Sequence, residues 1–361
     1  MLDTNHSPRK VLILGSGQRI VNAALPAFEA LPELFRVDGI FARSEKKLVT
    51  KNGERQVEPL ERLDASRLRG VDLIFICVSK PAVPSVLEFL GRLDVSQTDL
   101  LIDTPVLQFK HLSHFGKFAS FRKVWVAEDM STLPWMETLD LAREAESMGQ
   151  PESLTLYQSA YAYHGLALAK TLLGGAAIKS AKRRRTGGKS SVRKLNLSGG
   201  KSCLIHDPRD YASGHFALHM KGGSICDRPH RDHLHIDGIV EEQDGCLRYV
   251  GFQIEGKRGV YATRMEAYES ELFGPVDPEK RNESVIAHMD AFKRVGFARL
   301  LVHIHAGKGA YPLLEAIDDM WIDYVVEKTG RWFSSPMTSA KSGLARGWVG
   351  LATGLAEKLK R

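Results

Sequence analysis

The chain has 361 residues, 43% of them hydrophobic and 26% charged, a composition that excludes disordered, fibrous and collagen-like proteins. This length exceeds what one compact core accommodates and predicts two domains. The net charge of +7 is concentrated in residues 175–206 and 331–361, which leaves the rest of the chain net negative, so we expect no nucleic-acid partner.

Targeting and redox features favour a cytoplasmic protein. No apolar run has the length of a membrane span, and the first residues lack the hydrophobic core of a secretion signal. The cysteines are far apart and form no Cys-x-x-Cys pair, which favours reduced thiols over a disulfide framework. The four cysteines are Cys77, Cys203, Cys226 and Cys246.

Residues 1–128 alternate apolar runs with helical patterns. Continuous apolar strands are buried on both faces, as in a parallel sheet, and segments 81–93 and 107–119 have the length of crossover helices. We therefore predict an α/β Rossmann domain, a doubly wound parallel sheet that binds ligands at the carboxyl ends of its strands. The predicted strands are Val11 to Leu14, Phe35 to Ala42, Val71 to Val78, Leu100 to Asp103 and Val124 to Ala127.

A Gly-x-Gly pair follows the first predicted strand. Gly15 would allow a tight reversal, and Gly17 would let the backbone approach a dinucleotide pyrophosphate, whose charge then meets N–H groups of the next helix. Ile20 occupies the third glycine position of this motif and Pro26 interrupts the helical pattern, so we expect the helix to begin late. An ordinary strand-to-helix turn is the alternative, because the pair alone is a weak signal.

The second predicted strand ends in Ala42-Arg43-Ser44. An acidic residue here would hold the ribose hydroxyls of NAD, whereas an arginine beside a small hydroxyl suits the 2′-phosphate of NADP. We therefore favour NADP as the cofactor, with NAD as the other candidate. The alternative interpretation is an exposed arginine followed by Ser44 as the N-cap of a helix that starts at Glu45.

Residues 129–330 form the second predicted domain. Residues 203–273 alternate short apolar strands with glycine-rich turns, which predicts a mostly antiparallel sheet in an α+β domain. We interpret the basic segment from Lys179 to Lys194 as a solvated loop. The other predicted elements are the helices Leu133 to Met148, His164 to Leu173 and Tyr311 to Lys328 and the strand Ser153 to Ala160.

Residues 331–361 form a basic tail. Its apolar residues recur at helical spacing, so it has the pattern of an amphipathic basic helix. Such a helix could lie on an anionic membrane surface, but packing against the protein or a partner subunit is the interpretation that we favour. The recurring residues are Leu344, Trp348, Leu351, Leu355 and Leu359.

Several segments between residues 10 and 330 together resemble the Gfo/Idh/MocA oxidoreductases, the family of glucose-fructose oxidoreductase and inositol dehydrogenase. The matching segments are the turn Gly15 to Arg19, the stretch Leu25-Pro26-Ala27, the strand Val71 to Val78, the strand end Asp103-Thr104-Pro105, and His164 followed ten residues later by Gly174. The resemblance implies an NAD(P)-dependent oxidoreductase that transfers hydride between nicotinamide and a sugar, polyol or related carbonyl substrate. It also implies a homo-oligomer.

The family's catalytic groups are only partly present. Thr104 stands where the family has a lysine and Ala160 where it commonly has an aspartate, so His164 is the remaining candidate general acid or base. Because losing such a group costs about 10² to 10⁴ in rate, the alternative is a catalytically inactive nucleotide-binding scaffold or regulatory protein of the same fold. For His164 itself, the alternative is a buried histidine bonded to a backbone carbonyl.

The predicted cofactor site draws residues from the turns that follow the strands. If the strand from Ser153 continued past Ala160, Tyr161 and Tyr163 would face one side and His164 the other. The candidate cofactor-binding residues are Gly15, Gly17, Gln18, Arg19, Arg43, Ser44, Ser79, Lys80, Asp103, Thr104 and Pro105.

One further segment offers candidate metal ligands. His233, His235 and Asp237 would alternate onto one face of a strand and offer three ligands to zinc. The same alternation fits any half-exposed strand, so we favour a polar strand face near the substrate or a subunit contact and predict no metal.

Overall fold

The computed structural model describes residues 7–50, 52–160, 162–280 and 283–334. This part of the chain divides into two compact units, one containing residues 7–128 with Leu300–Trp321 and the other containing Asp129–Arg299 with Ile322–Phe333. Each unit has its own sheet.

The strands, in chain order, are β1 (Arg9–Leu14), β2 (Phe35–Ala42), β3 (Lys46–Thr50), β4 (Gly53–Pro59), β5 (Leu73–Ile76), β6 (Asp99–Asp103), β7 (Val124–Ala127), β8 (Pro151–Tyr157), β9 (Ile178–Gly187), β10 (Ser190–Leu197), β11 (Ser202–Asp207), β12 (His215–Met220), β13 (Gly223–Cys226), β14 (Leu234–Gln243), β15 (Cys246–Glu255), β16 (Val260–Arg264), β17 (Tyr311–Pro312) and β18 (Arg331–Phe333). The α-helices are α1 (Leu25–Glu29), α2 (Ala65–Leu68), α3 (Val83–Leu90), α4 (Met136–Ala145), α5 (Ala162–Leu172), α6 (Ala267–Phe273), α7 (Met289–His305) and α8 (Leu313–Thr329).

The first unit is built on an eight-stranded sheet with the order β17-β7-β6-β5-β1-β2-β4-β3. The strands from β7 to β4 pair in parallel, and β3 and β17 are antiparallel strands at the two edges. The residues of β1 from Val11 to Leu14 are fully buried, as expected for a strand covered on both faces. The predicted doubly wound parallel sheet is therefore confirmed.

The helix after the glycine turn begins directly at Gln18, so the expected late start was wrong. Its residues Ile20–Ala24 are π-helical, the Leu25 N–H donates to the Ile20 carbonyl, and α1 follows. Pro26 is the second residue of α1, directly after the π-helical stretch, so the change of helix type falls beside the residue that cannot donate a backbone hydrogen bond.

Two further expectations about the first unit need correction. No helix follows Ser44, because the chain enters the antiparallel pair β3 and β4 instead, so Ser44 is not an N-cap. The crossover predicted over 107–119 is a 3-10 helix, Phe109–Ser120, rather than an α-helix.

The second unit is built on a ten-stranded sheet with the order β16-β15-β14-β13-β12-β8-β11-β10-β9-β18. Its neighbours are antiparallel except for the pairs β8 with β11 and β13 with β14, which confirms the mostly antiparallel sheet. Helices α4 and α6 pack against β15, and α5 packs against β8.

The basic segment from Lys179 to Lys194 is not a loop. It forms most of the antiparallel pair β9 and β10, with a turn at Gly188 and Lys189. The sequence there alternates buried Ala181, Arg193 and Leu195 with exposed basic residues, and this period of two outweighs the high charge.

The strand that was expected to reach Ala160 stops at Tyr157. Gln158 has φ +54, which ends the extended conformation, and α5 begins at Ala162. Tyr163 and His164 are therefore consecutive helical residues with ring centroids 4.4 Å apart, not residues on opposite faces of a strand. Tyr161 lies outside the described residues.

The predicted tail also lies outside the described residues from position 335 onward, and its first residues form β18. Among the described residues, no helix combines the length and the hydropathy that crossing a bilayer requires. All four cysteines are free thiols, as predicted; Cys77, Cys203 and Cys226 are buried and Cys246 is exposed.

Candidate functional site: a glycine turn and a polar cluster

The glycine turn lies where the carboxyl ends of β1, β2 and β5 meet. The Gly15 N–H donates to the Phe41 carbonyl at 2.7 Å, and the Cys77 N–H donates to the Leu14 carbonyl at 2.8 Å. Gly15 has φ +134, and a Cβ added to it would lie 1.9 Å from the Cys77 oxygen. Both the conformation and the close approach of the β5 backbone therefore require glycine.

Gly17 occupies open space. A Cβ on it would meet no atom within 4 Å, and the Gly17 carbonyl accepts the first helical hydrogen bonds, from Ile20 and Val21. The first N–H groups of a helix have no intrahelical partner and favour an anion. The turn thus combines uncrowded backbone with a helix start, as a bound pyrophosphate requires.

Arg19 and Lys80 bring positive charge beside the turn. The Arg19 Nε lies 3.5 Å from one oxygen of Asp103, and the Lys80 Nζ lies 3.9 Å from the other and donates to the Thr104 carbonyl. Burial lowers the pKa of Lys80, and the Asp103 carboxylate opposes this shift. The Cys77 thiol donates to Asp103 at 3.3 Å, and burial, together with that carboxylate, raises the pKa of the thiol.

Lys46 is a cation at the turn that the sequence did not reveal. It lies at the start of β3, and its Nζ donates to the Ser16 carbonyl at 3.0 Å. The Asn52-Gly53 pair is a hairpin signal that could have predicted β3 and β4, but no local signal shows that β3 returns to the glycine turn. Arg43 and Ser44 are exposed just beyond the end of β2.

The remaining predicted cofactor residues take simpler positions. The Gln18 Oε1 accepts from the Asn22 amide at 3.1 Å on the first helical turn. Ser79 is exposed and precedes the 3-10 turn Lys80–Ala82, and Pro105 follows Thr104 after β6. The structure thus gathers Arg19, Lys80, Asp103 and Thr104 at the turn.

A second polar cluster lies within the other unit, beyond the carboxyl ends of the parallel strands β8 and β11. The loop after β11 is held against the residue that follows β8, because the Asp210 N–H donates to the Gln158 carbonyl and the Ser213 hydroxyl donates to the Gln158 side chain, both at 2.9 Å. This loop carries Tyr211, and α5 with His164 starts a few residues after Gln158.

Lys293, in the second turn of α7, is the central cation of this cluster. Its Nζ donates to the Tyr211 hydroxyl oxygen at 2.7 Å. Burial lowers the pKa of Lys293, but the Asp129 carboxylate and the Tyr211 hydroxyl outweigh this effect, so the pKa is raised overall. Lys293 is therefore an ammonium at neutral pH and can only donate, which leaves the Tyr211 hydrogen for another acceptor.

Asp129 connects this pair with the predicted catalytic histidine. Asp129 is 2% exposed, and its carboxylate lies within 4.8 Å of a ring nitrogen of His164. The second unit therefore brings an aspartate, a histidine, a lysine and a tyrosine into one cluster, a set that can donate, accept and stabilise charge on an oxygen.

Three members of this cluster were missed by the sequence analysis. Asp129 lies two residues after the end of β7, where the rule that ligands meet strand ends could have singled it out. Tyr211 lies in an irregular loop and Lys293 on a helix whose apolar pattern is weak, so neither carried a local signal.

The three residues considered as zinc ligands separate into two groups. The His235 Nδ1 lies 3.2 Å from a carboxylate oxygen of Asp237 on β14. His233 precedes that strand, and its ring faces those of His219 and His230, with centroids 6.0 and 4.3 Å away. Among the described residues of this segment, no three of these groups come close enough to share an ion.

Comparisons with known proteins support the fold. No protein-family model and no curated protein sequence matches the chain. Solved structures do match, including an oxidoreductase from Agrobacterium radiobacter in complex with NAD+, L-tartaric acid and magnesium, which is 10% identical with a TM-score of 0.61 over 91% of this chain and 98% of that one.

Two further structures agree with this result. An NAD binding oxidoreductase from Klebsiella pneumoniae is 11% identical with a TM-score of 0.60 over 91% of this chain and 100% of that one. An inositol dehydrogenase homolog complexed with NAD+ from Azotobacter vinelandii is 11% identical with a TM-score of 0.53 over 92% of this chain and 100% of that one. At these identities the likeness shows the fold, which is the one implied by the resemblance to the Gfo/Idh/MocA oxidoreductases.

Proposed function

We propose that the chain is an NADP-dependent oxidoreductase that acts on a sugar, polyol or related carbonyl compound. The observation that carries this proposal is the Gly15 turn, where the backbone of β5 leaves no room for a side chain while the space beside Gly17 is open. Two solved structures of the same fold are described as complexes with NAD+. The fold and the turn thus support a pyridine dinucleotide at the same edge of the sheet.

The residues around the turn fit the charges of such a cofactor. A diphosphate at the turn would meet positive charge from the backbone N–H groups at the helix start and from Arg19, Lys46 and Lys80. Arg19 and Lys80 already contact Asp103. Entry of a phosphate would let Lys46 exchange the Ser16 carbonyl for a charged oxygen, which makes a stronger hydrogen bond.

The choice of NADP rests on the end of β2. Arg43 is exposed where the adenosine ribose of a dinucleotide lies in this fold, and Lys46 supplies a second cation close by in the chain. Arg43 and the absence of an acidic side chain at positions 43 and 44 favour an additional phosphate over free ribose hydroxyls.

The chemistry that we propose divides the roles among the residues of the second unit. The bound nicotinamide supplies or accepts the hydride. Tyr211 donates a hydrogen bond to the substrate oxygen, and the Lys293 ammonium stabilises the negative charge that the oxygen acquires. His164 delivers the proton in reduction and takes it in oxidation, with Asp129 holding the imidazole.

Calorimetry with NADP+ and NAD+ tests the cofactor proposal. We expect the wild-type chain to bind NADP+ more tightly, and Arg43→Ala to weaken NADP+ binding about 10- to 100-fold while changing NAD+ binding little, since a hydrogen bond to a charged group contributes about 1.5–3 kcal/mol. Arg36→Ala is the matched control, because Arg36 is an exposed arginine at the start of the same strand and pairs with Asp38. If neither NADP+ nor NAD+ gives binding heat at millimolar concentration, the proposal is refuted.

The second candidate is the catalytically inactive nucleotide-binding scaffold, which Thr104 and Ala160 favour. It is distinguished by nicotinamide absorbance with a panel of aldoses, ketoses and polyols. Nucleotide binding without any turnover, together with unchanged behaviour of His164→Ala, would establish the scaffold and exclude the enzyme.

A further inference from the structure

A cavity of about 600 Å³ lies within the first unit, at the amino ends of its parallel strands. Arg9 is the first residue of β1, Asp99 is the first residue of β6, and Arg122 and Lys123 directly precede β7. The glycine turn follows the opposite end of β1, whose six residues span roughly 20 Å, so the cavity is separate from the proposed cofactor site. The other lining residues are Ser7, Trp125, Ile304, His305 and Gly307.

The Asp99 carboxylate fixes two guanidinium groups at this cavity. Arg122 donates to it from Nε at 2.8 Å and from Nη2 at 2.9 Å, and Arg9 donates to it from Nη2 at 2.6 Å. The Asp99 side chain is 3% exposed, whereas the Arg122 side chain is 46% exposed. Among the described residues, none accepts from the Arg122 Nη1. Asp99 thus holds Arg122 in place and leaves one edge of its guanidinium for a further acceptor.

Lys123 adds a second positive charge to the cavity. In the described part of the chain, no carboxylate lies within ion-pair distance of its ammonium, which lies 5.9 Å from the centroid of the Trp125 ring. Asp72 is the other carboxylate near the arginines, and it accepts from the Lys10 N–H at 2.8 Å while its carbonyl accepts from Arg9. Even when Asp72 is counted with Asp99, the cations Arg9, Arg122 and Lys123 outnumber the carboxylates. The cavity therefore favours an anion.

The end of helix α7 forms another part of the wall. His305 is the last residue of α7, and its ring meets the Phe35 ring edge to face, with centroids 5.9 Å apart. Open carbonyls at a helix end repel anions, but the N–H groups of residues 306–308 donate back to the carbonyls of residues 302–304. This capping reduces the negative charge that the helix end would otherwise present to the cavity.

The size of the cavity and its aromatic surface narrow the class of ligand. Its volume is in the range of sites that enclose small organic molecules, and it exceeds what an inorganic phosphate needs. Trp125 lines the cavity with a half-buried indole, and its main chain is fixed between β6 and β17. A planar base stacks on such a ring, and a phosphate accepts hydrogen bonds from guanidinium and ammonium groups. A ligand that carries both groups would use the whole set of side chains.

We propose that this cavity binds a mononucleotide, with its base on Trp125 and its phosphate on Arg122 and Lys123. Asp99 is a positioning residue, since it acts on the phosphate only through the arginines. This site goes beyond the proposed oxidoreductase function and does not depend on it, because none of its residues belongs to the glycine turn or to the cluster around His164.

Calorimetry of the full chain with AMP, with and without saturating NADP+, tests the proposal. We expect AMP to bind in both conditions, because NADP+ occupies the glycine turn and not this cavity. Lys123→Glu should weaken AMP binding about 10- to 100-fold, since it replaces a hydrogen bond between charged groups with repulsion. Circular dichroism and a thermal melt establish that the variant is folded. If the chain binds no NADP+, the lysine variant still locates AMP, so the two proposals fail independently.

The matched control is Lys110→Glu, which makes the same charge change at an exposed lysine that does not line the cavity. We expect its AMP affinity to stay within about twofold of wild type. Trp125→Leu should lower the AMP affinity about fivefold or more, to that of ribose 5-phosphate, because stacking of the base is lost.

Four results would overturn the proposal. They are no heat with AMP at millimolar concentration, equal weakening of AMP binding by the two lysine variants, loss of AMP binding when NADP+ is added, and binding of ribose 5-phosphate to the wild-type chain as tight as that of AMP.

Discussion

Gly15 and Gly17 lie two residues apart and are constrained differently. Gly15 has a positive φ and the β5 backbone against its Cα, whereas Gly17 has open space where a side chain would project. The first glycine is therefore needed for the fold, and the second is needed only if a ligand occupies that space.

This contrast gives a prediction for two alanine variants. Gly15→Ala should lower the free energy of unfolding by about 3 kcal/mol or more, because it adds a clash to an unfavourable φ. Gly17→Ala should unfold within about 1 kcal/mol of wild type but bind NADP+ at least about 10-fold more weakly. Chemical denaturation and calorimetry measure both quantities. Gly17→Ala with unchanged NADP+ affinity would remove the pyrophosphate from this turn.

The sequence predicted individual site residues wherever a local rule applied. Gly15 and Gly17 follow an apolar strand, and strand ends also located Asp103 and Thr104. Tyr211 and Lys293 could not be predicted, because 82 residues separate the two partners of their 2.7 Å hydrogen bond. Only the folded second unit brings them together.

At the scale of elements, β9 and β10 show how one basic segment serves two surfaces. The inward Arg193 is nearly buried against Asp207 and Asp323, while the outward Lys194 is exposed. Burial raises the pKa of both carboxyls, and the Arg193 charge opposes that shift. Ion pairs therefore stabilise one face of this strand pair, and repulsion between the like charges of Lys182 and Lys194 destabilises the other.

Removing Arg193 should therefore destabilise the protein in a pH-dependent way. Arg193→Met leaves the half-buried Asp207 and Asp323 carboxylates without their cation, and we expect a loss of about 3 kcal/mol at pH 7. A carboxyl whose folded pKa is raised destabilises the fold above that pKa and ceases to do so once protonated. The loss should accordingly shrink as the pH falls toward about 4.

Urea denaturation at several pH values measures this loss. Lys194→Met is the matched control on the neighbouring outward position and should stay within about 0.5 kcal/mol of wild type at every pH. A loss for Arg193→Met that is independent of pH would show that packing, not charge, holds β10.

Element types were predicted best where apolar runs were long. The five strands predicted for the first sheet appear near their predicted positions, as β1, β2, β5, β6 and β7, because each contains an apolar run that is buried in the fold. The pair β9 and β10 was predicted as a loop because the high charge of the segment obscured its alternation of buried and exposed residues. The helix Met289–His305 was missed because polar and apolar residues do not separate into faces along it.

For the whole molecule, the nucleotide turn and the polar cluster belong to different units. Leu14, Gly15 and Asp103 lie in the parallel-sheet unit, and His164 and Tyr211 lie in the antiparallel-sheet unit. The fold class of each unit was predictable from the period of its apolar residues. The chain path was not, because residues 300–321 return to the first unit and residues 322–333 then belong to the second unit again.

This division predicts that dinucleotide binding and turnover can be separated by mutation. Tyr211→Phe should keep NADP+ affinity within about twofold while lowering kcat by about 10² to 10³, the usual loss for one donor to a developing oxyanion. Tyr324→Phe, at an exposed tyrosine of α8, is the control and should change neither quantity. Turnover that survives Tyr211→Phe intact would assign the substrate oxygen to other residues.

The cysteines give the molecule a practical property. Burial raises the pKa of the Cys77, Cys203 and Cys226 thiols, so these side chains are both enclosed and protonated at neutral pH. Cys246 is exposed, immediately after the reversal at Asp244 and Gly245 that joins β14 to β15. A maleimide dye should therefore attach at one defined hairpin without any cysteine being replaced, which makes the native chain suitable for single-site fluorescence.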